Sequence, residues 1–179
     1  MRPAAWSVLV RVACRLLVVG GCFFALMRPV RMAEASAAAG LLHLFGVGDV
    51  TVQLGTSIQV FPKGHTPFRA SVTPSCSCLS ALLALGYVAG FLPRKSHRRR
   101  FPAVIAAMGA VAGGNVLRIA ASLGIGLVAG RASLVLFHDW VGSVFTFAYT
   151  LGGYLIMLYL LLPSRTQPPT TALAVHRVP

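Results

Sequence analysis

Acidic side chains are nearly missing from this chain: three Asp and Glu stand among 179 residues, against 16 Lys and Arg, for a formal net charge of +13. Charge of either sign is also sparse, at 11% of residues, about half the share usual in a soluble domain. With 56% hydrophobic residues and a mean hydropathy of +0.78, this scarcity excludes a disordered protein and argues against one water-soluble domain. No internal repeat is visible. The only low-complexity piece is the Pro/Thr-containing tail after Pro163. The Cys-x-x-C spacing of the usual redox pair is missing, and Cys76 and Cys78 lack nearby partners for a metal site, so neither metal nor cofactor is expected.

What is present is apolar sequence in four stretches, giving spans of about 12–30, 76–92, 102–123 and 136–162. Each reaches or approaches the ~20 residues that cross ~30 Å of hydrocarbon. The third stays apolar to about Ala129, and Gly124, Gly126 and Gly130 loosen its end, so it reads as one long helix or as a span plus a short helix. The expected fold is an all-α polytopic membrane protein of four to five transmembrane helices. A single integral domain would cover 1–163, followed by a disordered cytoplasmic tail over 164–179. Glycine pairs four apart (Gly86 and Gly90, Gly109 and Gly113, Gly126 and Gly130) would let helices approach closely.

The basic residues set the orientation. Arg2, Arg11, Arg15, the cluster Arg94, Lys95, Arg98, Arg99 and Arg100, and Arg165 and Arg177 fall on one side, with five others spread over far more loop on the opposite side. By the positive-inside rule both termini and the 93–101 loop are cytoplasmic. The Arg-rich loop could also be a nucleic-acid patch, but loop charge of this kind ordinarily fixes topology, and no nucleic-acid partner is expected. A basic start, an apolar run and small residues near Ala35 and Ala37 also fit a cleaved signal peptide. Residues 31–75 would then be extracytoplasmic. Met32–Phe45 reads as a short amphipathic helix. Short strands are expected around Val50, Val52 and Leu54, around Ile58, Val60 and Phe61, and around Phe68, Ala70 and Val72, with turns at Gly55 and Lys63-Gly64.

Polar residues inside the apolar stretches need a reason, because an embedded charge is expensive. Counted at ~1.5 Å per residue, Arg118 lies about 24 Å above Pro102, with Asn115 one turn earlier on the same face. Snorkelling to outer headgroups is the alternative explanation for Arg118. His138 falls roughly 32 Å above Tyr159, where a lone His is often just a boundary marker. Asp139 points about 100° away around a helix and is a poor orienter for that imidazole. Cys14 and Cys22 read as apolar packing residues. Cys76 lies about 25 Å above Pro93, at the entry to the second span, where a helix dipole would stabilise a thiolate. A Cys, an Arg and a His thus share one depth on three segments. Thiolate nucleophile, imidazole acid/base and guanidinium stabiliser are the groups that acyl transfer uses.

Three motifs, Ser75-Cys76-Ser77 leading into an apolar helix, Asn115-Val116-Leu117-Arg118-Ile119 and Phe137-His138-Asp139-Trp140-Val141-Gly142, come in the order found in the exosortase/archaeosortase family of membrane transpeptidases, which the chain resembles over about 35–160. The resemblance implies Cys76 as nucleophile, His138 as acid/base and Arg118 as stabiliser, with Asn115, Ser77 and Asp139 binding substrate or supporting the site. It also implies the plasma membrane of a prokaryote, an active site on the extracytoplasmic face, and secreted protein substrates ending in a motif, a span and a basic tail. An envelope amine would accept the acyl group. Cys78 stands where the family usually has Gly, leaving a second thiol, but Ser77 and Leu79 keep the family's register with Cys76. The alternatives from other classes are a non-enzymatic membrane subunit or transporter, and a thiol-disulfide membrane oxidoreductase using Cys76 and Cys78.

Overall fold

A 42-residue helix opens the computed structural model, which describes residues 3–53, 55–91 and 97–161. The order is α1 (Pro3–Leu44), β1 (Val50–Gln53), β2 (Ser57–Val60), β3 (Phe68–Ser71), a 3-10 turn (Pro74–Cys76), α2 (Leu79–Phe91), α3 (His97–Leu136), a π-type turn (Phe137–Val141) and α4 (Gly142–Leu161). The protein is mostly helical with one small strand segment. Pro93, Arg94 and Lys95 of the expected basic loop, and the tail 164–179, lie outside the described residues.

α1 is continuous through Pro29. The expected stop there and the separate helix over Met32–Phe45 are therefore one element. An interior Pro removes one hydrogen bond, but ending a helix in apolar surroundings strands several N–H and C=O groups. At ~1.5 Å per residue α1 is about 63 Å long, twice the hydrocarbon thickness. Its first half turns apolar side chains outward, with Leu17 at 76% and Phe24 at 81% exposure. Cys14 is exposed and Cys22 half-buried, so neither fills a core within this chain as expected of packing residues. Beyond Pro29, Ala35, Ala38, Ala39 and Leu42 are buried, and the small alanine side chains let the sheet and α3 come close.

The three strands form an antiparallel meander in the order β1-β2-β3, with Val50 opposite Val60 and Ile58 opposite Ala70. Gly55 and Gly64 take positive φ at the two expected turns. Val50, Ile58 and Val60 are buried on one face, whereas Val52, expected to join them, is 37% exposed; Leu54 lies outside the described residues.

Gly130 reverses the chain. Its φ of 81° and ψ of −177° belong to a region that side chains avoid. Across the reversal Gly126 faces Leu134, Arg118 faces Gly142, Gly114 faces Tyr149 and Val111 faces Gly153, an antiparallel hairpin. The third apolar run, Pro102 to about Ala129, thus forms one long helical limb that ends at the reversal. A Cβ at Gly153 would stand 2.5 Å from the Val111 side chain, so glycine there sets how closely α4 lies on α3. Gly90, Gly109 and Gly113 of the expected pairs face open space instead. Two helical stretches, Leu9–Leu44 and the hairpin Arg100–Leu161, are long and apolar enough to cross a membrane, and Leu79–Gly90 is a shorter apolar helix.

Two apolar cores result. One joins the end of α1, the inner face of the sheet, Cys76, and Ile119, Ala120 and Leu123 of α3. The other joins α2, α3 and α4 through Cys78, Leu85, Ala107, Val111 and Met157. The polar residues flagged in the sequence gather where the two meet.

Candidate active site

The turn that carries Cys76 is written in Thr73-Pro74-Ser75-Cys76. The ring of Pro74 holds Thr73 extended, at φ −80° and ψ 165°, and its own fixed φ seeds a single turn. That turn closes when the Cys76 N–H donates to Thr73 O at 3.0 Å. Ser77 is again extended, at φ −83° and ψ 141°, so α2 begins only at Leu79. Cys76 therefore stands ahead of the helix and not at its N-terminus, and the dipole argument for its thiolate does not apply. The Ser77 hydroxyl accepts from the Leu79 N–H at 3.3 Å, a capping contact that starts α2.

His138 approaches from the other side of the molecule. Its Nε2 lies 2.9 Å from Cys76 Sγ, across 62 positions of sequence. Thr73 Oγ1 is 3.0 Å from the same sulfur. On the far edge of the ring, His138 Nδ1 is 3.0 Å from Asp139 Oδ1. This corrects the expectation that Asp139 points away from the imidazole. The wider turn over Phe137–Val141 brings consecutive side chains nearer than an α-helix does, and the aspartate reaches back over its neighbour. A carboxylate accepting from Nδ1–H leaves the Nε2 lone pair facing the thiol.

Arg118 supplies the third group. It is 5% exposed, which excludes the snorkelling reading, and its Nη2 is 3.4 Å from His138 Nε2. Gly142 gives it room: a Cβ there would stand 2.7 Å from Arg118 Nε. That Nε has no hydrogen-bond partner among the described residues. A buried guanidinium with an unpartnered N–H, its Nη2 beside the imidazole that contacts the thiol, is suited to stabilising an anion formed nearby.

Asn115, fully buried, ties the surroundings together. Its Nδ2 donates to Cys76 O at 2.9 Å and to Glu34 Oε1 at 2.8 Å. Its Oδ1 accepts from the Tyr149 hydroxyl at 3.0 Å. Glu34 Oε1 also accepts from the Cys78 N–H at 2.9 Å. One carboxylate and one amide thus hold the backbone on both sides of Ser77. Cys78 lies ahead of α2 with its thiol turned into the second core. Sequence reasoning missed Glu34, Thr73 and Tyr149. Glu34 carried a signal, being the one Glu of the chain, set in an Ala-rich helical run. Thr73 and Tyr149 carried none.

Fold and cluster together define a mostly helical membrane protein with a thiol–imidazole pair in its interior. The chain belongs to the transmembrane exosortase family (Exosortase_EpsH), whose sequence profile matches residues 2–162. Membership carries a transpeptidase-like activity at a membrane, in general terms. No curated protein and no solved structure matches the chain.

Proposed function

We propose that this chain is a cysteine transpeptidase/protease that cleaves C-terminal sorting signals of secreted proteins at the outer face of a prokaryotic plasma membrane. The observation that carries this reading is the 2.9 Å contact between Cys76 Sγ and His138 Nε2, with the Arg118 guanidinium beside the same nitrogen. His138 takes the thiol proton as Cys76 Sγ bonds to the scissile carbonyl carbon. Arg118 stabilises the oxyanion. The C–N bond then breaks, His138 passes the proton to the leaving amine, and the acyl group remains on Cys76 as a thioester. An envelope amine attacks the thioester, loses its proton to His138, and the thiol is restored.

In this reading α1, α2 and the two limbs of the hairpin are four membrane crossings, with both termini cytoplasmic and residues 31–75 outside. The excess of basic residues at the termini and over 93–101, whose second half is the start of α3, supports that orientation. The substrate is held by the bilayer through its own span, which brings the bond to be cut to the headgroup level.

The test is processing of secreted proteins that end in a motif, a span and a basic tail. Cells carrying Cys76→Ala, Arg118→Ala or His138→Ala should accumulate the uncut form. Normal cleavage in a variant lacking both Cys76 and Cys78 would reject the proposal.

A further inference from the structure

Cys76 and His138 stand on the wall of a cavity of about 200 Å³. Most of the remaining wall is apolar: Ile58 and Ala70 from the sheet, Val72 just beyond its last strand, and Leu123 and Leu134 from the hairpin. The hydroxyls that also line it are largely engaged. Ser122 Oγ donates to Arg118 O at 2.9 Å, and Thr73 Oγ1 contacts Ser75 Oγ at 2.8 Å and Cys76 Sγ at 3.0 Å. A ligand placed here would meet chiefly hydrocarbon within reach of the sulfur. An apolar cavity of ~150 Å³ accommodates a benzene ring, so this one has room for one branched or aromatic side chain.

We propose that this cavity is a specificity pocket that receives a single large apolar side chain of the substrate, on a residue flanking the bond that Cys76 attacks. The proposal rests on the transpeptidase reading and adds to it a requirement on the substrate. Recognition would come from water-excluded contact with Ala70, Leu123 and Leu134, while the polar groups of the site remain free for the reacting carbonyl.

The size of the pocket can be read without knowing the substrate. The full chain, with Cys14 and Cys22 changed to Ser, is treated with methyl, butyl and benzyl methanethiosulfonate, and the labelled cysteine is mapped by mass spectrometry. In each reaction the Cys76 thiolate attacks the sulfenyl sulfur, a disulfide forms, methanesulfinate leaves, and the thiol proton passes to His138 or water. Rates are normalised to those of a small free thiol. The benzyl reagent should label Cys76 about tenfold faster than the methyl reagent, the gain from burying one ring. Ala70→Leu, which fills the space, should remove the advantage of the benzyl reagent over the methyl reagent. Leu134→Ala, which enlarges the space, should preserve or raise it. Normalised rates blind to reagent size in all three proteins would overturn the pocket, while processing that still depends on Cys76 would leave the transpeptidase reading standing. Size-selective labelling of Cys76 in a protein whose substrates are cut without Cys76 would do the reverse.

Discussion

Cys76 and Cys78 are two positions apart and end in different parts of the molecule. The extended Ser77 between them turns one thiol toward the sheet and the other into the helices. Cys76 shares its core with Val72, Ile119 and Leu123, borders a cavity, and touches an imidazole. Cys78 shares its core with Leu85, Ala107, Val111 and Met157, and meets the Glu34 carboxylate instead. Both are buried, so burial alone does not separate them. Their partners do. An imidazole can take the proton of a thiol as it reacts, whereas a carboxylate beside a buried thiol offers no such neutral base and opposes a second negative charge.

The comparison breaks if the wrong thiol does the work. Cys76→Ala removes the sulfur that forms the thioester, so the trapped acyl-enzyme should disappear and turnover should fall by about a thousandfold or more. Cys78→Ala keeps a small apolar side chain in a packed site and should stay within about threefold of the parent. The same contrast has a labelling form. Cys78, packed among Leu85, Ala107, Val111 and Met157, should stay unlabelled by thiol reagents until the protein unfolds, while Cys76 is labelled in the folded state. An inactive Cys78→Ala protein with an active Cys76→Ala counterpart would reverse the assignment.

A smaller effect is expected where the two regions meet at Gly142. Its φ of −59° suits any residue, so the glycine answers to space alone. Ala in its place must push the buried Arg118 guanidinium aside. Gly142→Ala should therefore lower turnover by about ten- to a hundredfold, short of the loss in Arg118→Ala, because the charge remains nearby. Little change in turnover would mean that the guanidinium acts without fixed geometry.

Glu34 ties the two regions to one another, and its removal should be felt as looseness of both. Glu34→Ala leaves the Cys78 N–H and one Asn115 N–H buried without an acceptor, at about 1–3 kcal/mol for each group. Unfolding should shift accordingly, and turnover should fall about tenfold through misplacement of the Cys76 backbone. Glu34→Gln keeps the accepting oxygen and should restore most of both. A Gln variant as impaired as the Ala variant would show that the negative charge itself is needed.

How far the sequence spoke follows the same division. Long apolar stretches and the three strands were legible because hydropathy and period-two alternation report burial directly. Gly55 and Gly64 were legible as turns for their positive φ. The fusion of span one with the following helix was not, since Pro29 looks like a stop and only packing beyond it keeps the helix intact. Nor was the start of α2 legible, because Pro74 makes its own turn ahead of it. Cys76, Arg118 and His138 could be placed at one depth by counting residues along helices, yet counting could not give their azimuth. For the same reason it missed Glu34 and Tyr149, which reach Asn115 only through tertiary packing, and it misjudged Asp139.

Asp139 should produce the smallest effect of these. It accepts from His138 Nδ1 at 3.0 Å, but its side chain is 64% exposed while that of His138 is 29% exposed. Water can replace much of what the carboxylate offers, and salt screens what is left. Asp139→Ala should therefore lower turnover by about tenfold or less, with the parent losing part of its advantage over the variant as ionic strength rises. A buried carboxylate behind the imidazole would give a far larger and salt-insensitive loss, because nothing else could hold the ring in the right tautomer. A loss equal to that of His138→Ala would mean that the site closes over Asp139 when substrate binds, and that its open flank becomes as dry as the one occupied by Arg118.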